Sequence, residues 1–121
     1  MFITKVIKAY LVFRDSPVLD CLKKIEANTR GIAFVVDEHN VIIGVVSDGD
    51  IRRWLTIFSN CDMNSPISEI MNRSFIFRKS GDENKLISDT FSHHIRVIPL
   101  VNHKKQIEAI AFPDTMALEI G

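Results

Sequence analysis

The chain has 121 residues, 46% of them hydrophobic and 25% charged, and its fifteen basic side chains balance its fifteen acidic ones. This composition predicts one compact globular domain and excludes a disordered chain, while the zero net charge excludes a general field for nucleic acid or anionic lipid. No apolar run approaches the roughly twenty residues that span a bilayer, and residues 1–10 lack the apolar core of a signal peptide, so the expectation is a cytoplasmic chain without membrane or nucleic-acid partners.

Residues 1–9 mix Lys5 and Lys8 with Ile3, Val6 and Ile7 and read as a short helix or an edge strand. Residues 10–13 form a β-type run. Asp15, Ser16 and Pro17 then open a helix, with Ser16 as cap and Pro17 at the first helical position, that runs to about Asn28. Its apolar face carries Val18, Cys21, Leu22 and Ile25, and Asp20, Lys23, Lys24 and Glu26 take the solvent side. Residues 32–36 and 41–46 are continuous apolar runs around a polar turn, which predicts a hairpin buried on both faces. A strand-to-helix junction follows in Gly44-Val-Val-Ser-Asp-Gly-Asp-Ile-Arg-Arg53, and its helix reaches about Phe58 with Ile51, Trp54, Leu55 and Phe58 on the apolar face. Ser47, Asp48 and Asp50 are N-cap residue types. Such a cap, with the free amides of a first turn, can hold a sugar hydroxyl or a phosphate, although plain capping is the simpler reading of these residues alone.

A polar connector, residues 59–66, leads to a short helical turn at 67–71. The order of elements then recurs: a strand at 75–78, a helix opened by Ser80, Gly81 and Asp82 with Leu86, Ile87, Thr90 and Phe91 on one face, strands at 96–101 and 106–112, and a short helix at 113–119. Setting Val36-Asp37 on Val101-Asn102 also sets Gly44 on Ala109 without a gap, so the chain contains an internal repeat with an offset of 65 residues. Each repeat is a β-α-β-β-α unit, and each has too few elements to cover its own small sheet. The expected fold is therefore α/β (α+β), with two pseudo-symmetric repeats packed through their sheets and ligand clefts near the strand-to-helix junctions. Cys21 and Cys61 have no paired spacing and predict reduced thiols. His39, His93, His94 and His103 show no metal-ligand pattern. No Ser, His and acid set has recognisable catalytic spacing.

Gly-x-x-Ser-x-x-Asp at Gly44, Ser47 and Asp50, followed by Ile51 and Arg52, resembles the motif of the cystathionine-β-synthase (CBS) domain. So do the Asp-Ser-Pro start at Asp15, the Val35-Val36-Asp37 strand end, the 66–71 segment and Arg96-Val-Ile-Pro-Leu-Val101. The resemblance covers about residues 9–116 and implies two CBS repeats, at 9–64 and 65–119, after an extension at 1–8. Two such units make a pair called a Bateman module, a non-catalytic regulatory module that binds adenosine nucleotides between its repeats. Asp50 matches the position that accepts from ribose hydroxyls, and Ser47 the one that reaches ribose or phosphate. Ile32, Ala33 and Phe34 would flank the base, and Arg52 and Arg53 would meet a phosphate. The implied ligands are AMP, ADP, ATP or a related adenosyl compound such as S-adenosylmethionine. In the second repeat Ala109, Phe112 and Thr115 replace Gly44, Ser47 and Asp50, which puts a second site at Phe112, Asp114 and Thr115 in doubt. Val45 to Arg53 is most similar to CBS pairs attached to sugar-phosphate and nucleotide-sugar enzymes, such as sugar nucleotidyltransferases and arabinose-phosphate isomerases. The last five residues resemble the start of a sialic-acid-synthase catalytic part. The expected partners are an attached catalytic domain and a second copy in a homodimer. The alternative is a dimerisation module with vestigial clefts.

Overall fold

A computed structural model describes residues 1–57 and 59–113. In chain order it contains β1 (Phe2–Thr4), a 3-10 turn (Lys8–Tyr10), β2 (Leu11–Phe13), α1 (Val18–Asn28), β3 (Ile32–Val36), β4 (Ile42–Ser47) and α2 (Asp48–Ile57). A second 3-10 turn (Ile67–Glu69), β5 (Arg78–Lys79), α3 (Asn84–Thr90), β6 (Ile98–Val101) and β7 (Ile107–Phe112) follow. The fold is mixed α+β, with one sheet in the order β2-β3-β4 and another in the order β1-β7-β6-β5. These elements group into two compact units, one from Lys8–Phe75 and one from Met1–Ile7 with the described residues from Ile76 onward.

In the Lys8–Phe75 unit, β3 is central, parallel to β2 and antiparallel to β4. The start of α1 differs from expectation. Pro17 is the cap residue rather than the first helical one, and no side chain caps the helix. The orphan amides of Val18 and Leu19 donate instead to the carbonyls of Ser65 at 2.9 Å and Met63 at 3.0 Å. Connector backbone laid across the helix start makes a side-chain cap unnecessary. Val18, Cys21 and Ile25 bury one face of α1 against Ala33, Val35 and Val46. The helix ends on Thr29, whose φ of 60° is left-handed. Beyond that turn the buried Asn28 side chain donates to the carbonyls of Ala9 and Ile32 and accepts from the amide of Arg30.

In the other unit, β1 pairs antiparallel with β7 and stacks Phe2 on Phe112, with ring centroids 6.1 Å apart. The opening residues are thus an edge strand. The strand expected at 75–78 is reduced to Arg78 and Lys79, the two positions that find partners in β6. Ile87 of α3 packs on Ile98, Leu100, Ala109 and Ala111. Of the expected helix at 113–119, all but Pro113 lies outside the described residues, as does Phe58.

The repeat extends to individual hydrogen bonds. A register shift falls between Val35↔Gly44 and Val36↔Ile42 in one hairpin, and between Leu100↔Ala109 and Val101↔Ile107 in the other, every residue 65 positions on. The turns match too. Asp37 Oδ1 accepts from the amides of His39 and Val41, and Asn102 Oδ1 from those of Lys104 and Gln106. Ahead of the first helix the offset is 66, since Arg14 N donates to Val36 O as Ser80 N does to Val101 O. One residue is therefore missing between the helix start and the hairpin, a stretch in which α3 has 7 residues against 11 in α1.

Candidate functional site

Ser47 closes β4, and Asp48 is the first residue of α2. Ser47 Oγ accepts from the Asp50 amide at 3.0 Å, and Asp50 Oδ2 accepts from the Ser47 amide at 2.9 Å. This reciprocal pair is a capping box, with Asp in the position usually filled by Glu or Gln. Asp50 Oδ1 takes the Arg53 guanidinium at 2.7 Å. A carboxylate has about four lone-pair sites, so each oxygen of Asp50 keeps one acceptor position for a further donor. The first-turn amides are less open than the sequence suggests. Asp48 N donates to Gly31 O at 3.1 Å and Asp50 N to Ser47 Oγ, so two of the amides that could cradle a phosphate are already engaged. Arg52 pairs with Asp48 at 3.6 Å, so both arginines lean back on carboxylates of their own helix.

Asp50 and Arg53 line a cleft of about 470 Å³ together with Trp54, Ile57, Glu69 and Ile70. Trp54 and Ile57 come from the same helix, and Glu69 and Ile70 from the 3-10 turn and its cap. A smaller cleft of about 250 Å³ on the Lys8–Phe75 unit brings Asp48 and Gly31 together with Leu22, Ile25, Glu26 and Thr29. Of the residues expected from sequence, Ser47, Asp50, Arg52 and Arg53 are therefore brought to one helix start, and Asp50 and Arg53 line the cleft of about 470 Å³.

The others lie elsewhere. Ala33 and Phe34 are buried within β3, whose backbone is engaged by strands on both sides, and Ile32 is half-buried at the strand end. Gly44 serves packing: a Cβ there would stand 2.5 Å from Met71 Sδ and 2.8 Å from its Cγ. Phe112 is buried under Phe2, and Asp114 and Thr115 lie outside the described residues. Sequence reasoning counted Trp54 only as an apolar-face residue and passed over Glu69. Position Asp50 + 4 on a helix lies one turn above Asp50 on the same face, and that spacing was the available signal for Trp54. Nothing local marks Glu69, which the chain brings back from beyond the connector.

Residues 4–57 match the family model of the CBS domain. The described structure superposes on CbpB of Listeria monocytogenes in complex with c-di-AMP with a TM-score of 0.78, at 14% identity and over 98% of this chain and 90% of that one. Against the CBS domain pair of protein MJ0100, in complex with 5′-methylthioadenosine and S-adenosylmethionine, the TM-score is 0.73 at 19% identity, over 98% and 95% of the two chains. This is the fold of a CBS domain pair. Among curated proteins, arabinose 5-phosphate isomerase GutQ of Salmonella typhi is 37% identical to it over 60 residues, 50% of this chain. The chain spans 18% of that isomerase's length.

Proposed function

We propose that the chain is a non-catalytic regulatory module of the CBS type, which binds an adenosine-type ligand in the cleft at Asp50 and modulates a catalytic domain joined to it or bound by it. The observation that carries this reading is the state of Asp50. Its carboxylate is fixed by the Ser47 amide and the Arg53 guanidinium, keeps acceptor capacity on both oxygens, and lines a cleft of about 470 Å³. Vicinal ribose hydroxyls are donors that suit such a carboxylate, and a charged acceptor makes those bonds shorter and stronger. Structures of similar fold carry c-di-AMP, 5′-methylthioadenosine and S-adenosylmethionine, which supports an adenosyl ligand here. The stretch shared with arabinose 5-phosphate isomerase supports a catalytic partner that acts on sugar phosphates. Regulation then requires a ligand with different affinity for two arrangements of the module. Isothermal titration with adenosine, AMP, ADP, ATP, 5′-methylthioadenosine and S-adenosylmethionine tests the reading. At least one binds, and Asp50→Ala abolishes its binding while the far-UV spectrum stays native. If none binds, the reading fails.

A dimerisation module is the second reading. It is favoured by apolar side chains left in solvent on α1 and α2, where Leu19 is 37%, Leu55 43% and Ile57 66% exposed. A stable dimer that sediments as a monomer after Leu55→Glu and ignores every adenosine derivative would support assembly over sensing.

A further inference from the structure

We infer that the cleft at Asp50 selects its ligand by charge, taking an adenosine derivative whose 5′ substituent is neutral or cationic and turning phosphate away. This rests on the proposed adenosyl binding and adds the class of ligand. Little is left prepared for a phosphate. The amides of Asp48 and Asp50 are already bonded to Gly31 and Ser47, and Arg52 and Arg53 are each paired with a first-turn carboxylate. With Asp50 and Arg53 cancelling, Glu69 leaves the cleft with one net negative charge, and it forms no ion pair among the described residues. A 5′ phosphate would meet this carboxylate as a like charge, which costs affinity, whereas a sulfonium or ammonium would be attracted. Trp54 adds a second attraction. Its half-buried ring lines the same cleft, and the indole is the aromatic face best suited to a cation within about 6 Å. Its N–H has no partner among the described residues and is a spare donor toward a bound molecule. An exposed carboxylate, a fixed carboxylate and an indole thus surround one space, each favouring a hydroxylated ligand without net negative charge.

The test is a titration of the whole chain at low salt with S-adenosylmethionine, 5′-methylthioadenosine, AMP and ATP, repeated on Glu69→Gln. Glu69 is exposed, so the substitution leaves the fold intact, which a thermal melt verifies. S-adenosylmethionine should bind about tenfold or more tightly than AMP, with 5′-methylthioadenosine between them and ATP weakest. Glu69→Gln should narrow that ratio from both sides, weakening the sulfonium compound and strengthening AMP. Tighter binding of AMP or ATP than of 5′-methylthioadenosine overturns the inference and leaves adenosyl binding standing, as does a ratio that Glu69→Gln does not change. Absence of binding by all four compounds overturns adenosyl binding itself, and the charge selection with it.

Discussion

Asp37 and Asn102 hold the same turn in the two repeats with the same pair of amide bonds and differ by one charge. Desolvation pushes the Asp37 carboxyl up, but the amides of His39 and Val41, with the charges of His39 and Arg14, outweigh it and hold the group below its ordinary 3.8. A depressed carboxylate contributes stability that is present above its unfolded value and lost as pH falls through the folded one. Asp37→Asn should therefore keep the turn and flatten the loss of stability below about pH 4, measured by urea denaturation across pH. The two cysteines differ as sharply. Burial, opposed by nearby Lys24, pushes the Cys21 thiol up to about 12. Cys61 is half-buried and donates its thiol to the Trp54 carbonyl at 3.2 Å. A thiolate reagent near pH 8 should modify Cys61 in the native protein and reach Cys21 only after denaturation, and two fast-reacting thiols would contradict the packing of α1. Asp50 carries the proposed site and also caps its helix. Asp50→Ala should accordingly cost about 1 kcal/mol of stability besides its effect on binding.

At the scale of elements, the glycine of the Gly44 motif is a packing device. Met71 returns after the connector and lies on Gly44, while Val45 and Asn72 exchange backbone bonds at 2.9 and 2.7 Å beside it. Gly44→Val should destabilise the chain by about 1–3 kcal/mol through overpacking, and Met71→Ala in the same chain should recover part of the loss. The hairpin strands and the α1 face were legible in the sequence because apolar runs and helical spacing are local. The start of α1 was not, because its amides are satisfied by carbonyls some forty-five residues later, at Met63 and Ser65. Asn28 was likewise read only as a helix end. Its buried side chain joins the first 3-10 turn, the α1 exit and β3, so Asn28→Ala should cost about 1–3 kcal/mol by leaving those backbone groups unsatisfied.

For the molecule as a whole, the repeat was the legible feature, and the structure carries it to matched register shifts and matched turn bonds. The site was legible only in part. Asp50 and Ser47 announce themselves by motif, whereas Trp54 and Glu69 enter through the way a helix face meets a returning turn. The strand expected to flank a base, β3, is engaged on both edges by β2 and β4. The account stands most directly on calorimetric titration of the intact chain, wild type against Asp50→Ala, with adenosyl compounds. It predicts saturable binding of at least one by the wild type and none by the folded variant. Equal binding by both proteins, or by neither, would contradict it.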